Sequence, residues 1–423
     1  MNKKVSLGVM LALLFVVAAL TVSVTMLISM RYFSRMVGDV GEQKAMYGYI
    51  NEIDHAARQN YDIDEAALQQ ALAEGYINGL SDPYAAFLTP EEYQQAQNDR
   101  QGSAAGFGLA VAADRQQRLC VTRVHDNSPA AQSGMLQGDI ILAVDGDPVD
   151  GAGLAAVRQT LAAAPKVILT VLRGETELAV ELTANSYTVT SVSGQMIDTL
   201  ACIRFYTFHD QTARQLKTVL SGLLAQGATG VVLDLRGCTG TDTESVRDVL
   251  AYLLPSGVYV RYATRSGSTD LSADPSFELR LPCVTLIDGD TEGEAELLAA
   301  VLQNFRKTTV IGSPSRGKQS VQQNFVISSD STAVRLSVGR YTLLTADEWL
   351  HVDIAQSLSP QDAAYRDLLS LDEDTVLGAA VRFLKTGTVE TQPTEPPTEP
   401  PTEPTEPEET EPTDMTEPTE PEE

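Results

Sequence analysis

Apolar residues recur at helical spacing near the start of the chain, at strand spacing in its middle, and in both patterns further on. The first region predicts three helices: Glu42–Asn60, Asp64–Leu80, and a short one that starts at Thr89 with Pro90 in its first position. Asp64 has a side chain that commonly caps a helix N-terminus. Short strands separated by turns are predicted from about residue 106 to residue 184, where Asn-Ser-Pro and Asp-Gly-Asp-Pro segments interrupt the apolar runs.

From residue 200 onward, apolar strands alternate with amphipathic helices. The predicted strands are Leu200–Phe205, Gly230–Leu235, Val284–Ile287, Thr308–Ile311 and Ala333–Val338, and the predicted helices are Thr212–Ala225, Glu244–Leu254 and Glu292 to about Phe305. Such alternation is typical of an α/β domain with parallel strands in its sheet. With 423 residues the chain is too long for one ordinary core, so we expect an α/β protein of two or three modules.

An uncharged run from Val5 to Met30 lies between basic residues at positions 3 and 4 and at positions 31 and 35. The run is longer than the core of a signal peptide and reaches the length that crosses the hydrocarbon of a bilayer. Because no convincing small-x-small cleavage site precedes Arg31, the pattern favours a retained signal anchor over residues 1–36. Basic residues at both ends leave its orientation open.

The acidic residues are concentrated at the opposite end of the chain. The net charge is -27, and residues 391–423 repeat Thr-Glu-Pro without any Lys or Arg. An acidic, proline-rich stretch with few apolar residues cannot bury enough surface to offset its ordering entropy, so residues 389–423 are predicted to form a disordered tail. A chain this acidic is a poor candidate for binding nucleic acid or anionic lipid, and a solvated spacer is the favoured role of the tail.

Neither the cysteines nor the histidines form a pattern of metal ligands. No Cys-x-x-Cys pair occurs, and the histidines do not have ligand spacing. We therefore predict that these residues are packed or on the surface, and we predict no cofactor and no metal. The residues concerned are Cys120, Cys202, Cys238, Cys283, His55, His125, His209 and His351.

Four segments of the chain are more specific. They are Ser81-Asp82-Pro83-Tyr84 running into Leu88-Thr89-Pro90-Glu91-Glu92-Tyr93; Gly106-Phe107-Gly108-Leu109 with Ser128-Pro129-Ala130 and Gly138-Asp139-Ile140-Ile141; Asp234-Leu235-Arg236-Gly237 with Gly240; and Gly312 through Gly317-Lys318-Gln319-Ser320-Val321-Gln322. In this order and spacing, residues 40–386 resemble the C-terminal processing (tail-specific) serine peptidases. Each segment alone is a weak match, and the four in order make a strong one.

The resemblance implies a domain organisation. It predicts a helical N-terminal module over residues 37–101, a PDZ domain over residues 102–185 and a tail-specific-peptidase-like α/β domain over residues 186–388. Because members of the family act outside the cytoplasmic membrane, it also implies a single-pass cell-membrane protein with its main domains extracytoplasmic. The oligomeric state stays open.

The PDZ domain implies a peptide site. Such a domain binds an extended peptide as an added strand, while loop amides receive the terminal carboxylate. The predicted peptide-binding residues are Gly106, Phe107, Gly108 and Leu109, and the predicted partners are polypeptide C-termini or unfolded peptide segments. The alternative is a closed PDZ fold that only packs against the peptidase domain.

The resemblance fails at one position of the active site. In this family a serine lies three residues before a glutamate that begins an apolar helix, and the catalytic lysine follows later in the chain. Here Glu296 and Lys318 both indicate Gly293 as the nucleophile position. Glycine has no side chain and cannot form an acyl-enzyme. Lys318 and Gln322 occupy the retained catalytic positions.

The neighbours of this glycine also differ from the family, in which small residues surround the nucleophile. Here Glu292 and Glu294 flank the glycine. A carboxylate close to Lys318 favours the ammonium form, which cannot act as a base. The segment also fits an ordinary capping box, with Thr291 as the N-cap residue and Glu294 reaching back to it.

The oxyanion region, which the resemblance assigns to Gly240 and Glu294, has changed as well. Cys238 and Thr241 replace the asparagine and glycine usual in the family. Two other nucleophiles are conceivable, the hydroxyl of Thr291 and the thiol of Cys238, which is intrinsically reactive when ionised. A nucleophile displaced to Thr291 would miss the required geometry, and no motif places a histidine near Cys238.

Three functional hypotheses follow from these residues. The favoured one is a pseudoprotease that binds peptide or protein C-termini at the cell surface, because its nucleophile is missing. The second is an active endopeptidase with a relocated nucleophile, because Lys318 and Gln322 are retained. The third is a purely structural envelope protein in which the peptide groove has no ligand.

Overall fold

The computed structural model describes residues 7–149, 153–240, 243–265, 267–273, 279–327, 331–344 and 348–388. The predicted tail at residues 389–423 and Thr241 of the predicted oxyanion region lie outside these ranges. Contacts divide the chain into two compact units, Met1–Ser81 and Asp82–Glu423.

Two helices form the first unit, α1 (Leu7–Arg58) and α2 (Glu65–Asn78). The carboxylate of Asp64 accepts hydrogen bonds of 3.1 Å from the amides two and three residues further on, so the predicted N-cap is confirmed. The helix predicted to start at residue 42 is instead part of α1. No proline occurs between the start and the end of α1 to interrupt it.

The predicted membrane anchor covers residues 1–36, of which the first six lie outside the described part of the chain. Among the helices that the structure describes, none has both the length and the apolar character that a membrane crossing requires. Anchoring in a membrane stays a prediction from the sequence.

The second unit begins with a short strand, β1 (Ala86–Leu88), and helix α3 (Pro90–Gln101). The hydroxyl of Thr89 accepts a hydrogen bond from the amide of Glu92 at 3.2 Å, and the carboxylate of Glu92 accepts one from the amide of Thr89 at 2.9 Å. This capping box fixes the start of α3 where the sequence predicts it.

The next segment is a small β-rich domain. Its elements are β2 (Ser103–Gly106), β3 (Leu109–Ala113), β4 (Leu119–Val124), α4 (Pro129–Gln132), β5 (Ile140–Val144), β6 (Asp147–Pro148), α5 (Gly153–Ala163), β7 (Lys166–Arg173), β8 (Thr176–Thr183) and β9 (Asn185–Thr188). The antiparallel sheet has the order β3-β4-β5-β7-β8, with β6 paired to β5. Val121, Leu169, Val171 and Leu182 are fully buried in its core.

An α/β core follows. Its elements are β10 (Val192–Ile197), β11 (Leu200–Phe205), α6 (Thr212–Ala225), β12 (Gly230–Asp234), α7 (Thr243–Leu250), β13 (Gly257–Thr264), β14 (Gly267–Ala273), β15 (Cys283–Ile287), α8 (Glu294–Val301), a π-helical turn (Leu302–Arg306), β16 (Thr309–Gly312), β17 (Ser320–Val326), β18 (Ala333–Leu343), β19 (Ile354–Ala355), α9 (Pro360–Ala364), a 3₁₀ turn (Arg366–Leu368) and α10 (Thr375–Thr386).

A mostly parallel sheet lies at the centre of this core, in the order β10-β11-β12-β15-β16-β19. Strand β10 runs antiparallel to β11, and the other neighbours are parallel. All five residues of β12 are buried, as its continuous apolar sequence predicts. The loops after β12 and β15 leave the same edge of the sheet, and they carry the Asp-Leu-Arg-Gly motif and Gly293 respectively.

A second sheet has the order β1-β18-β13-β14, with β17 also paired to β18. The sequence predicts only the first part of β18 and misses β13, β14 and β17. Most residues of β14 and the end of β17 are exposed, so these strands lack the apolar pattern that identifies a strand. The predicted helix Glu292–Phe305 also differs, because α8 starts later and continues as a π-helical turn.

The β-rich domain is connected to the α/β core by the paired strands β2 and β9 and by contacts around His125. The Nδ1 atom of His125 accepts a hydrogen bond from the amide of Thr190 at 3.1 Å, and the amide of Asp126 donates to the Thr190 hydroxyl at 3.1 Å. Arg123 lies over the ring of Tyr206, 3.6 Å from its centre. Because Nδ1 of His125 accepts this hydrogen bond, it carries no proton in the folded protein, and the imidazole is neutral.

We expect the free energy of unfolding to fall as the pH is lowered from about 6.5 to about 4. Burial, aided by the charge of Arg123, lowers the pKa of His125 to about 4. The unfolded chain therefore binds a proton that the folded one does not, and the loss is roughly 3 kcal/mol over this range. Urea unfolding across the range, compared with His125→Gln, measures it. If the variant loses as much stability as the wild type on acidification, His125 is not responsible.

Candidate active site

Gly293 lies between β15 and α8, at the position where the resemblance places a nucleophile. Its backbone has φ 66° and ψ -116°, a conformation that residues with side chains rarely adopt. A Cβ atom built on it would lie 2.6 Å from the carbonyl oxygen of Gly240 and 3.9 Å from Cδ of Lys318. The structure thus brings the three predicted residues together, and it leaves no room at residue 293 for a side chain.

The ammonium group of Lys318 is paired with a carboxylate. Its Nζ atom donates to Oε1 of Glu292 at 2.9 Å and lies 4.9 Å from the centre of the Tyr84 ring. The lysine side chain is only 7% exposed. An ion pair and an aromatic face both favour the charged form. Lys318 is therefore arranged as a cation, whereas a serine–lysine peptidase needs it as a neutral base.

Glu296 links the segment around Gly293 to the segment around Lys318. Its carboxylate accepts hydrogen bonds from the amides of Gly293 at 2.9 Å, Gly317 at 2.6 Å and Lys318 at 2.9 Å, and from the Ser315 hydroxyl at 2.6 Å. The residue is fully buried. A buried carboxylate with four donors satisfies its acceptors without any reacting partner.

The capping box predicted for this helix is wrong. Helix α8 starts at Glu294, its cap residue is Gly293, and the carboxylate that reaches back belongs to Glu296. Thr291 is instead fully buried: its hydroxyl accepts from the amide of Asp288 at 2.9 Å and donates to the carbonyl of Leu235 at 3.0 Å. These two partners, one local and one distant in the chain, hold Thr291 ahead of the helix.

Neither alternative nucleophile is available in this geometry. The Thr291 hydroxyl is engaged in the hydrogen bonds just described and is not exposed. Cys238 is fully buried, and burial raises the pKa of its thiol far above the usual range. The thiol stays protonated near neutral pH, and a thiol that is protonated and buried is a poor nucleophile.

The other predicted site residues are engaged in structural contacts. Gln322 donates its amide to the carbonyl of Tyr84 at 2.8 Å. Glu294 is buried and lies 3.4 Å from the Tyr341 hydroxyl, whose pKa is raised by burial and by this carboxylate. Gly240 directs its carbonyl toward Gly293, and an acceptor at that point does not stabilise an oxyanion.

Gly240, Glu292, Lys318 and Gln322 line a cavity of about 970 Å³. Its walls are largely polar and come from α3, the loops after β11 and β12, strand β13 and the β17–β18 pair. Lining side chains include Tyr93, Arg100, Glu292, Lys318, Gln322 and Arg335. The space is large enough for several residues of an extended peptide.

Sequence reasoning missed two residues of the site. Tyr84 was recognised only as part of a motif, yet its ring covers the ammonium of Lys318 and its carbonyl binds Gln322. Glu296 served only as a landmark, yet it organises both segments. A glutamate inside the apolar start of α8 was the available signal, because an unpaired buried charge is costly.

The predicted peptide-binding loop precedes β3. The carbonyl of Phe107 accepts from the amide of Ala130 at 2.9 Å, and that of Gly108 accepts from the amide of His125 at 2.9 Å. Because a trans peptide directs its N–H opposite to its C=O, the amides of Gly108 and Leu109 point away from these partners. Gly108 has φ 75°, and a Cβ atom on it would lie 2.2 Å from that of Ser128.

Comparisons with known proteins agree with this architecture. The model of peptidase family S41 matches residues 199–354, and a PDZ domain model matches residues 120–173. The carboxyl-terminal-processing protease of Synechocystis is 28% identical over 316 residues, which cover 69% of this chain and 74% of that protein. The chain thus combines a match to peptidase family S41 with a match to a PDZ domain, and it is similar to the C-terminal processing peptidases.

A second curated protein and a solved structure are similar to the chain over comparable lengths. The carboxy-terminal processing protease CtpA of Bacillus subtilis is 28% identical over 325 residues, covering 74% of this chain and 68% of that protein. A solved structure from Bacteroides fragilis assigned to the S41 proteases has 16% identity and a TM-score of 0.55, covering 74% of this chain and 90% of the other. The latter shows the shared fold. This chain has glycine at residue 293, the position at which the resemblance places a serine nucleophile.

Proposed function

We propose that this chain is a pseudoprotease of the C-terminal processing family that binds polypeptide C-termini and does not cleave them. The observation that carries the proposal is the ion pair between Lys318 and Glu292 beside Gly293. Lys318, which would activate a nucleophile, is held in an ion pair, and residue 293 has no side chain that could serve as the nucleophile. The site then holds a peptide segment without reacting with it.

The PDZ domain supplies the binding function in this proposal. The amides of the Gly108–Leu109 loop point outward and are suited to a terminal carboxylate. By analogy with the family, and given the apolar run Val5–Met30, we propose that the chain is held at the cell membrane with residues 37–423 on the outer side. There it acts as an adaptor, or it sequesters the substrates of an active relative.

A cleavage assay tests the inactive site. The full chain, in mild detergent, is incubated with an unstructured polypeptide such as reduced and alkylated casein, beside a Lys318→Ala variant. We expect no cleavage above background for either protein and no adduct with serine- or thiol-directed reagents. Cleavage by the wild type that disappears in Lys318→Ala would replace the proposal with an endopeptidase that has a relocated nucleophile.

A binding assay tests the adaptor role separately. A library of peptides with free C-termini is screened against the full chain, and the same peptides with amidated C-termini serve as the control. We expect binding that requires the free carboxylate. If no peptide binds, the groove has no ligand, and the structural envelope role is favoured.

A further inference from the structure

We infer that Arg158 makes the peptide groove of the PDZ domain select an acidic residue near the C-terminus of its ligand. The inference rests on the proposed function, since it concerns the same groove. Arg158 belongs to no motif of the sequence analysis. It lies on α5, across the groove from the edge strand β3.

The groove has an open strand on one side. Among the described residues, β3 pairs only with β4 and forms one edge of the five-strand path. The path has a second edge at β8, and we place the added peptide strand on β3 because β3 follows the loop with the outward amides. The apolar floor is provided by Phe107, Val111 and Val157, all of which are buried, with Leu109 and Leu154 partly buried beside them.

Arg158 spans this groove in the unbound structure. Its Nη2 atom donates to the carbonyl oxygen of Val111 at 2.6 Å. That carbonyl faces α5, on the side where an added strand would donate a backbone N–H. The guanidinium therefore occupies an acceptor that a bound peptide needs, and it must leave before the peptide strand is complete.

The displaced guanidinium stays beside the peptide, because it is attached to α5. An arginine with no carbonyl to bind forms its strongest contacts with a carboxylate, often through two N–H groups. An added antiparallel strand begins with its C-terminal residue near Leu109. Val111 lies two residues further along β3, so the peptide residue that meets Arg158 is about two positions before the C-terminus.

The two roles of Arg158 predict effects of opposite sign. Against a neutral peptide the arginine is a competitor for Val111, so its removal strengthens binding. Against an acidic peptide it is also an ion-pair partner, so its removal weakens binding. A residue that only stabilised α5 would change both affinities in the same direction.

The test uses the full chain and two short fluorescent peptides that end in leucine. They differ only in having glutamate or glutamine two positions before that leucine, and binding is followed by fluorescence anisotropy. For the wild type we expect the glutamate peptide to bind about tenfold more tightly than the glutamine peptide, with the difference shrinking at high salt. For Arg158→Ala we expect no preference and about threefold tighter binding of the glutamine peptide.

Lys166→Ala is the matched control, because it also removes one cation from the domain. Lys166 lies on β7, is exposed and pairs with Glu181 on β8, at the opposite end of the sheet. We expect it to keep the preference. Thermal unfolding of each variant checks that the domain is folded.

The outcomes separate this inference from the proposed function. If both peptides bind the wild type equally, or if Lys166→Ala abolishes the preference as Arg158→Ala does, the acidic subsite is refuted while peptide binding stands. If neither peptide binds any variant and the library screen also finds none, the proposed function fails.

Discussion

Replacing Gly293 by serine is expected to leave the protein without peptidase activity and to lower its free energy of unfolding. The new Cβ atom would lie 2.6 Å from the Gly240 carbonyl oxygen, and residue 293 would keep a φ of 66°. A side chain in such a backbone conformation costs about 1–3 kcal/mol. The hydroxyl would also face a Lys318 whose Nζ atom is already hydrogen-bonded to Glu292.

Gly293→Ala is the control for Gly293→Ser, since it adds the same Cβ atom without a hydroxyl. Equal losses of stability in the two variants, measured by urea unfolding, would assign the cost to the Cβ atom. The double variant Glu292→Gln with Gly293→Ser then removes the ion pair as well. Casein cleavage by Gly293→Ser alone would contradict our reading of the Lys318–Glu292 pair, and cleavage only by the double variant would support it.

The second large effect is expected at Asp234, which begins the Asp-Leu-Arg-Gly motif. Its carboxylate accepts from Nε of Arg236 at 2.9 Å and from Nη1 of Arg204 at 2.8 Å, and Arg236 also binds Asp374 at 2.8 Å. Burial opposes its charge, but the two arginines outweigh burial and hold the pKa of Asp234 well below its usual range. Asp234→Ala leaves two buried guanidinium groups with too few partners, and we expect a loss of about 3–5 kcal/mol.

The control for this variant is Asp270→Ala. Asp270 forms a similar two-atom contact with Arg261, at 2.6 and 3.0 Å, but both side chains are exposed on β13 and β14. Water screens such a pair, so its removal is expected to change the free energy of unfolding very little. Thermal or urea unfolding of the two variants gives the comparison. A loss at Asp234 no larger than the loss at Asp270 would show that the buried network does not stabilise the core.

The sequence predicts the buried strands and helices of the α/β core well, and it predicts the exposed strands of the second sheet poorly. Strand Leu200–Phe205 and helix Thr212–Ala225 lie where their apolar patterns place them, because these elements bury one face or both. Strand β14 was missed because most of its side chains are exposed, and its existence depends on pairing with β13. Pairing of backbone groups leaves no apolar pattern in the sequence of an exposed strand.

The candidate site shows the same limit. The contact of a carboxylate with Lys318 follows from sequence because Glu292 is adjacent to the nucleophile position. The predicted cap of α8 is wrong because Thr291 binds the carbonyl of Leu235, which directly follows β12 and is distant in the chain. The role of Arg158 does not follow from the sequence, because its partner Val111 lies far away in the chain and no sequence pattern indicates the contact.

Glu296 fastens the segment that carries Gly293 to the segment that carries Lys318, and it does so through three backbone amides and the Ser315 hydroxyl. The bonds that maintain this architecture are therefore independent of the atoms that would react. Such a scaffold can fold in the same way whether or not a nucleophile is present at residue 293. On the proposed function, similarity over whole domains does not by itself identify an active peptidase. The identity of the residue three positions before this glutamate does.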